Sequence, residues 1–301
     1  MKIGYPCINL SIGCRAGSTF RLKSYSEERL IHTVDSNLHC LLEILKFNVQ
    51  HRMFFFRITS DIVPFASHPV CNFNWQRHFA IQFTAIGDLI KRHGIRISMH
   101  PDQFVVLNAI DSRVLNNSIR ELDYHATVLD LMGLDTSAKI QIHVGGVYQQ
   151  KETSIKRFIE RLCSIDNSIR RRLVIENDDR HYTLKDCLTI SSETGIPVLF
   201  DLLHHQINSC RETVPQAFGL FRRTWKKEDG LPMVDYSTKL KGERVGKHTT
   251  SIDLEHFSNF LQTTKPFDFD IMLEIKDKEK SASKAIELAV HDDRFMRAAA
   301  L

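Results

Sequence analysis

Six side chains that can bind metal ions stand at the ends of short apolar segments in this chain. They are His100, His143, Glu176, Asp201, Asp235 and Glu274. Each preceding segment, such as residues 198–200, has the composition of a buried β-strand. Parallel strands of an α/β fold bring their carboxyl ends to one rim. Imidazole nitrogens and carboxylate oxygens at one rim would hold divalent ions, so the sequence predicts a polynuclear metal centre.

Two histidines extend this candidate ligand set to eight. His204 follows Asp201 by three residues, and His248 lies in a loop rich in basic residues. One cation takes about four to six ligands, so eight imply at least two ions. A mixed nitrogen and oxygen set without sulfur favours manganese, zinc or magnesium. A single strand-end residue more often caps a helix, and the sequence leaves open an exchange of His204 with His205.

The elements that position these residues follow from the periodicity. Strands are predicted at 2–5 and 53–58, and six more end at the candidate ligands. Apolar residues at helical spacing predict the intervening helices near 27–50, 75–90, 112–133, 152–169, 183–194, 211–222, 253–262 and 281–290. Eight strand–helix pairs match a single (β/α)8 TIM barrel over 1–297 better than a doubly wound sheet. Residues 298–301 are interpreted as a cloning-derived tail.

Composition is that of an ordinary globular protein, with 43% hydrophobic residues and a net charge of +4. This charge is too small to predict nucleic-acid binding by itself. Position is more informative, because a glycine-containing loop on the predicted rim carries Lys239, Lys241, Arg244 and Lys247. Residues 170–172 are three arginines that precede a strand, and we expect them to be solvated on the opposite face.

Cysteines and apolar segments bear on the compartment. The seven cysteines include no Cys-x-x-Cys pair, which argues against a disulfide framework and a thiolate zinc site, and we expect most of them to be buried thiols. No apolar stretch approaches the ~20 residues of a membrane helix, and the first residues lack a signal-peptide core. We therefore expect a cytoplasmic protein with no membrane partner.

The segment after His100 reads Pro101-Asp102-Gln103-Phe104. Composition alone favours an interpretation in which Phe104 packs back into the barrel mouth beside Val105 and Val106. The alternative is a base-stacking wedge formed by Gln103 and Phe104. Two glycines directly beyond His143 and Val144 would let a phosphate approach the backbone closely.

Seven motifs, in order from residue 2 to about 280, resemble the UV damage endonuclease family. They are Gly4-Tyr5-Pro6-Cys7-Ile8-Asn9, Pro64-Phe65-Ala66-Ser67-His68, His100-Pro101-Asp102-Gln103-Phe104, His143-Val144-Gly145-Gly146, Glu176-Asn177-Asp178, Asp201-Leu202-Leu203-His204-His205 and Glu274-Ile275-Lys276. The resemblance implies a TIM barrel akin to endonuclease IV. It also implies an enzyme that nicks DNA immediately 5′ of cyclobutane pyrimidine dimers and 6-4 photoproducts with a three-metal cluster, usually of manganese.

Position by position, the resemblance implies roles for individual residues. The eight candidates above fall on metal ligands. Gln103 and Phe104 fall on a pair that probes the duplex opposite the lesion, and Tyr5 and Asn9 on a pocket for the damaged dinucleotide. His68 falls near the scissile phosphate. Lys276 is a candidate phosphate contact, although it could instead pair with Glu274.

One departure from the family concerns Met233 and Asp235. Some members carry a modified lysine and, two residues later, a ligating histidine at these positions. Asp235 can replace an imidazole as an oxygen ligand, whereas Met233 cannot replace a carbamylated lysine. We therefore expect one metal position to differ in identity, occupancy or pH response.

The chemistry expected of such a centre is hydrolysis of a phosphodiester by a metal-activated water, leaving 3′-hydroxyl and 5′-phosphate ends. The partner would be duplex DNA with ultraviolet lesions, which would bring the enzyme to the nucleoid, with no obligate protein partner. An abasic-site endonuclease of the endonuclease IV type and a metal-dependent sugar isomerase or epimerase are alternatives on the same fold. A damage-binding scaffold with a vestigial centre is disfavoured by the complete ligand set.

Overall fold

Eight parallel strands form a closed barrel in the computed structural model, which describes residues 1–240, 242 and 246–295. Neighbours in sequence pair around the barrel, and β8 closes on β1 through Gly4 and Met272. The strands are β1 (Ile3–Pro6), β2 (Phe55–Ile58), β3 (Arg96–Met99), β4 (Lys139–His143), β5 (Leu173–Glu176), β6 (Val198–Asp201), β7 (Met233–Tyr236) and β8 (Asp270–Leu273). This confirms the predicted (β/α)8 architecture.

Helices follow the strands as the periodicity predicts. They are α1 (Glu27–Gln50), α2 (Trp75–His78), α3 (Ala80–His93), α4 (Ser112–Leu131), α5 (Lys151–Ser164), α6 (Asn167–Arg170), α7 (Leu184–Thr194), α8 (Leu202–Ile207), α9 (Val214–Phe221), α10 (Leu254–Thr263) and α11 (Glu279–Ala289). The helix predicted at 152–169 is divided, because Ile165 is extended and Asp166 caps α6. The short α8 was not predicted. No helix within the described ranges is long and apolar enough to cross a membrane.

The barrel interior is built in layers along its axis. An apolar layer, separate from the main core between strands and helices, contains Phe55, Val174, Leu199, Met233 and Met272. Successive strand residues point to opposite faces, so the residue two positions further on points inward as well. Those second positions are Arg57, Glu176, Asp201, Asp235 and Glu274. A charged layer therefore lies directly above the apolar one, at the carboxyl ends of the strands.

Glycine is required where β1 meets β2. A Cβ atom on Gly4 would lie 1.4 Å from the carbonyl oxygen of Phe55, closer than any real contact. The absence of a side chain lets the two strands pair between Gly4 and Phe55 and so lets the barrel close.

Two expectations about polar and sulfur side chains were wrong. Cys14 and Cys40 form a disulfide that joins the segment after β1 to α1, with Cα atoms 5.8 Å apart. The five other cysteines are free, and of these only Cys187 is buried. Such a pairing depends on how the chain folds back, and a spacing of 26 residues does not reveal it.

Arg172 is the second residue that differs from its prediction. It lies at the end of the barrel opposite the strand ends, as predicted, but it is buried rather than solvated. Its Nη2 atom donates to Asp130 Oδ1 at 2.5 Å and to the carbonyl of Leu134 at 2.7 Å. These bonds to a carboxylate and to a carbonyl compensate for burial of the charge.

Candidate metal centre

Seven of the eight predicted ligands meet at the carboxyl ends of the strands. They form three overlapping groups, in each of which the donor atoms lie within 4.8 Å of one another. The groups are His100, His143 and Glu176; Glu176, Asp201 and His204; and Asp201, Asp235 and Glu274. The eighth, His248, lies at the edge, with Nε2 3.7 Å from Glu274 Oε2. Shared members make this one connected cluster.

Glu176 is at the centre of the cluster. Its Oε2 atom lies 3.6 Å from His100 Nε2 and 3.8 Å from His143 Nε2, whereas Oε1 lies 3.2 Å from His204 Nδ1. The side chain is buried at the end of β5. The two oxygens thus face different histidines, which is the arrangement required of a carboxylate that bridges two cations.

The short helix α8 selects between the two adjacent histidines. Asp201 caps it by accepting from the His204 N–H at 2.6 Å, and the first turn then places the His204 ring beside Glu176. His205 points elsewhere, with Nε2 2.9 Å from the carbonyl of Glu212. The structure therefore brings His204, and not His205, into the cluster.

Burial and mutual contacts set the protonation of the cluster. Burial, together with His143 and Arg57, lowers the pKa of His100 to about 3, so its ring is neutral and free to ligate. Burial raises the pKa of Asp201 to about 7. Burial disfavours the His204 imidazolium, but Asp201 and Glu176 outweigh it and raise its pKa to about 11. The ligand set thus carries exchangeable protons that cations would displace.

The residues present fit divalent ions. Asp201 Oδ2 and His143 Nδ1 are fully buried and have no hydrogen-bond partner among the described residues. Leaving a carboxylate oxygen unpaired in the interior is costly, and a cation would compensate for it. The donors are imidazole nitrogens and carboxylate oxygens without thiolate, a set suited to manganese, zinc or magnesium.

Two further residues of this cluster, Arg57 and Gln141, were not predicted from the sequence. Arg57 Nη2 lies 2.7 and 2.9 Å from the two carboxylate oxygens of Asp235, and Nη1 donates to Glu274. Gln141 Oε1 accepts from Arg57 Nη2 at 2.7 Å, while its amide donates to Glu176 and Asp235. The available signal was the inward alternation in β2, which places Arg57 two residues after Phe55.

The segment after His100 presents an exposed aromatic ring. Phe104 is 51% exposed, so the prediction that it packs back into the barrel mouth was wrong; Val105 is buried and Val106 half-buried. Phe104 and His68 line one cavity of about 570 Å³ together with Arg113, Asn117 and Arg120. Gln103, next to Phe104, is also exposed. The structure thus places an aromatic, two guanidinium groups and an imidazole around one groove.

Tyr5 and Asn9, by contrast, are buried. The Tyr5 hydroxyl donates to Asn48 Oδ1 at 2.7 Å and accepts from Asn9 Nδ2 at 2.8 Å. The structure therefore ties these two side chains to each other and to α1, beneath the surface.

The predicted phosphate-contacting lysines lie near the rim. Lys276 is exposed. Glu274, two residues before it, lies beside His248. Lys239 is exposed, and its strand-like segment pairs with that of His248. In the same segment, the carbonyl of Lys247 accepts from the Leu240 N–H at 2.9 Å. Lys241 and Arg244 lie outside the described residues.

Comparison with known proteins identifies the family. The family described as UV-endonuclease UvdE matches residues 1–294. A UV DNA damage endonuclease of Clostridium perfringens is 39% identical over 291 residues, covering 95% of this chain and 70% of the relative. One of Bacillus cereus strain G9842 is 33% identical over 297 residues, covering 95% and 94%.

Solved structures agree with this relationship. The crystal structure of SacUVDE superposes with a TM-score of 0.93 at 48% identity, covering 96% of this chain and 98% of that one. Endonuclease IV from Thermus thermophilus has a TM-score of 0.58 at 15% identity, covering 82% and 92%, and shows a shared fold alone. With residues 1–294 matched and its fold superposed, the chain belongs to the UV-endonuclease UvdE family.

Proposed function

We propose that this protein is a metal-dependent DNA repair endonuclease that nicks duplex DNA at ultraviolet lesions. The observation that carries the proposal is the connected set of ligand groups at the carboxyl-terminal rim, centred on Glu176. Membership of the UvdE family supports DNA as the substrate class. The rim is where barrel enzymes carry their catalytic groups.

The ligand groups would hold divalent ions, with Mn²⁺ as the first choice and Zn²⁺ or Mg²⁺ as alternatives. Such ions activate water and neutralise charge on the phosphate during cleavage. The chain's own contribution is to fix the donors: the carbonyl of Asn177 lies 3.0 Å from His204 Nδ1, and Asp201 is fixed as the cap of α8. Second contacts of this kind orient ligands and set metal affinity.

We place the incision immediately 5′ of the lesion, with cyclobutane pyrimidine dimers and 6-4 photoproducts as substrates. The products would carry 3′-hydroxyl and 5′-phosphate ends, because the divalent ions would favour attack of water on the phosphorus with departure of the 3′ oxygen. Among the exposed groups near the rim, Lys276 would contact phosphate, as would His68.

Recognition would depend on damage rather than on base sequence. A crosslinked dinucleotide stacks and pairs poorly, so extruding it costs less than extruding an intact step. The exposed Phe104 ring, with Gln103 beside it, would fill the space left in the duplex. Arg113 and Arg120 in the same groove would bind the nearby backbone.

The test is incision of a duplex that holds one defined photodimer, with and without added Mn²⁺. We expect a single metal-dependent nick 5′ of the dimer and a 3′ end that a polymerase extends. Matched duplexes with an abasic site or no damage separate the alternatives. Incision of the abasic duplex alone would assign an endonuclease IV type of activity, and an uncut photodimer duplex would refute the proposal.

A further inference from the structure

The third ligand group differs from the other two because an arginine side chain already contacts its carboxylates. The Arg57 guanidinium contacts Asp235 and Glu274, and these are two of the three members of the group. Its side chain is only 4% exposed. No arginine or lysine takes part in the groups built from His100, His143 and Glu176 or from Glu176, Asp201 and His204, among the ion pairs of the described residues.

The contacts hold the guanidinium in place from several sides. Nη2 approaches both oxygens of Asp235, Nη1 reaches Glu274, and Gln141 accepts a third bond. The amide of Gln141 donates in turn to Asp235 and to Glu176. The planar guanidinium carries several N–H groups in fixed positions, and these match two carboxylates. A hydrated ion could bind here only by displacing those hydrogen bonds.

The strand that carries Asp235 offers no further donor to this group. Met233, two residues earlier on the same inward face, belongs to the apolar layer with Phe55 and Leu199. Asp201 also belongs to the second group. An ion in the third group would therefore have to rely on two carboxylates that a buried guanidinium already contacts.

We propose that Arg57 takes the third cation position of the cluster, so that the centre holds two divalent ions and one fixed guanidinium. The two ions would occupy the groups that meet at Glu176. This inference rests on the proposed metal centre and specifies its stoichiometry, where the family resemblance implies three metals.

The test counts Mn²⁺ ions bound to the purified full-length protein. The protein is stripped with a chelator, equilibrated with Mn²⁺ and freed of excess ion, and manganese per chain is measured by mass spectrometry. We expect two ions in the wild type and two in Arg57→Lys, which keeps the charge. We expect three in Arg57→Gln, which frees the carboxylates of the third group.

The matched control is Arg96→Gln. Arg96 is the other arginine of the eight described strands, and its Nη1 lies 3.2 Å from Asp270 at the opposite end of the barrel. Its loss removes a comparable buried ion pair, so it should lower stability and leave the count at two. If Arg57→Gln does not fold, the wild-type count and Asp235→Asn still decide, because Asp235→Asn should keep both ions.

Other outcomes overturn the proposal in distinguishable ways. Three ions in the wild type would show that a metal displaces Arg57, leaving the proposed endonuclease intact. A count unchanged at two in a folded Arg57→Gln, or reduced in Asp235→Asn, would refute the role of the guanidinium. No bound ion in the wild type would refute the proposed metal centre itself.

Discussion

Glu176 Oε1 lies 3.2 Å from His204 Nδ1, although the two residues belong to different strand–helix units of the barrel. Glu176 ends β5, whereas His204 lies in the first turn of the helix that follows β6. The same nitrogen is 3.0 Å from the carbonyl of Asn177. The contact links the first and second ligand groups, and it makes Glu176 the residue on which both depend.

Replacing this central carboxylate should abolish incision. Glu176→Gln removes the charge but keeps the shape, and we expect nicking of a photodimer duplex to fall by more than the roughly 10- to 100-fold that loss of an outer contact costs. Bound manganese should fall with it. Asp178→Asn is the control, because the Asp178 carboxylate accepts bonds from the backbone N–H groups of Arg180, His181 and Tyr182. Normal activity in Glu176→Gln would rule out a bridging role.

Binding of manganese should release protons. Burial lowers the pKa of His204, but Asp201 and Glu176 outweigh this effect and raise it to about 11. His204 is therefore an imidazolium at neutral pH and must lose its proton to bind a metal ion. Burial raises the pKa of Asp201 to about 7. Below this pH Asp201 is protonated as well, so metal binding must then displace a second proton. Affinity should therefore weaken as the pH falls, most steeply below the pKa of Asp201. Titration calorimetry in buffers of different ionisation enthalpy measures this, and pH-independent affinity would contradict it.

The exposed aromatic should control discrimination between damaged and intact DNA. Stacking of a base on an aromatic ring contributes about 1–3 kcal/mol. We expect Gln103→Ala combined with Phe104→Ala to reduce the preference for a photodimer duplex in a binding assay, with manganese content unchanged. Ile81→Ala is the control, because Ile81 is 83% exposed on α3 and does not line the groove. Unchanged discrimination would remove Phe104 from recognition.

The basic rim should contribute to the salt dependence of DNA affinity. Each phosphate contact that is lost lowers the slope of log affinity against log salt by about 0.9. We expect Lys239→Ala to reduce the slope by one such step. Lys227→Ala is the comparison, since that exposed lysine precedes β7 at the opposite end of the barrel. Equal slopes for Lys239→Ala and the wild type would place the DNA elsewhere.

The disulfide should stabilise the fold by restricting the unfolded chain. Cys14 and Cys40 are 26 residues apart, and closing a loop of this size contributes about 3.5 kcal/mol in the chain-entropy description. Cys14→Ser should lower the free energy of unfolding in urea by a value of that order. Cys163→Ser, at an exposed free cysteine, should leave it unchanged. Equal stability of the two variants would show that the bond contributes little.

The alternation of apolar segments and helical stripes was sufficient to predict the barrel. The strand ends it marked, from His100 to Glu274, lie within one residue of those in the structure, because a strand buried on both faces has a composition that is easy to recognise. Gly94 ends α3 with a positive φ of 59°, a conformation that glycine commonly supplies at the end of a helix. These features are local in sequence.

What the sequence did not reveal depends on contacts between distant segments. Arg57 is one charge within the apolar run of β2, and only the layer it shares with Asp235 and Glu274 explains its burial. The pairing of Cys14 with Cys40 and the bonds of Arg172 to Asp130 likewise join segments far apart in the chain. No periodicity encodes such partners.

The contact of Arg57 with Asp235 and Glu274 has a consequence for biosynthesis. A charge carried by β2 arrives with the polypeptide, so the newly made chain can bury both acids before it encounters any ion. These two carboxylates therefore have a cationic partner from the moment the barrel closes, and folding of this part of the rim requires no metal ion.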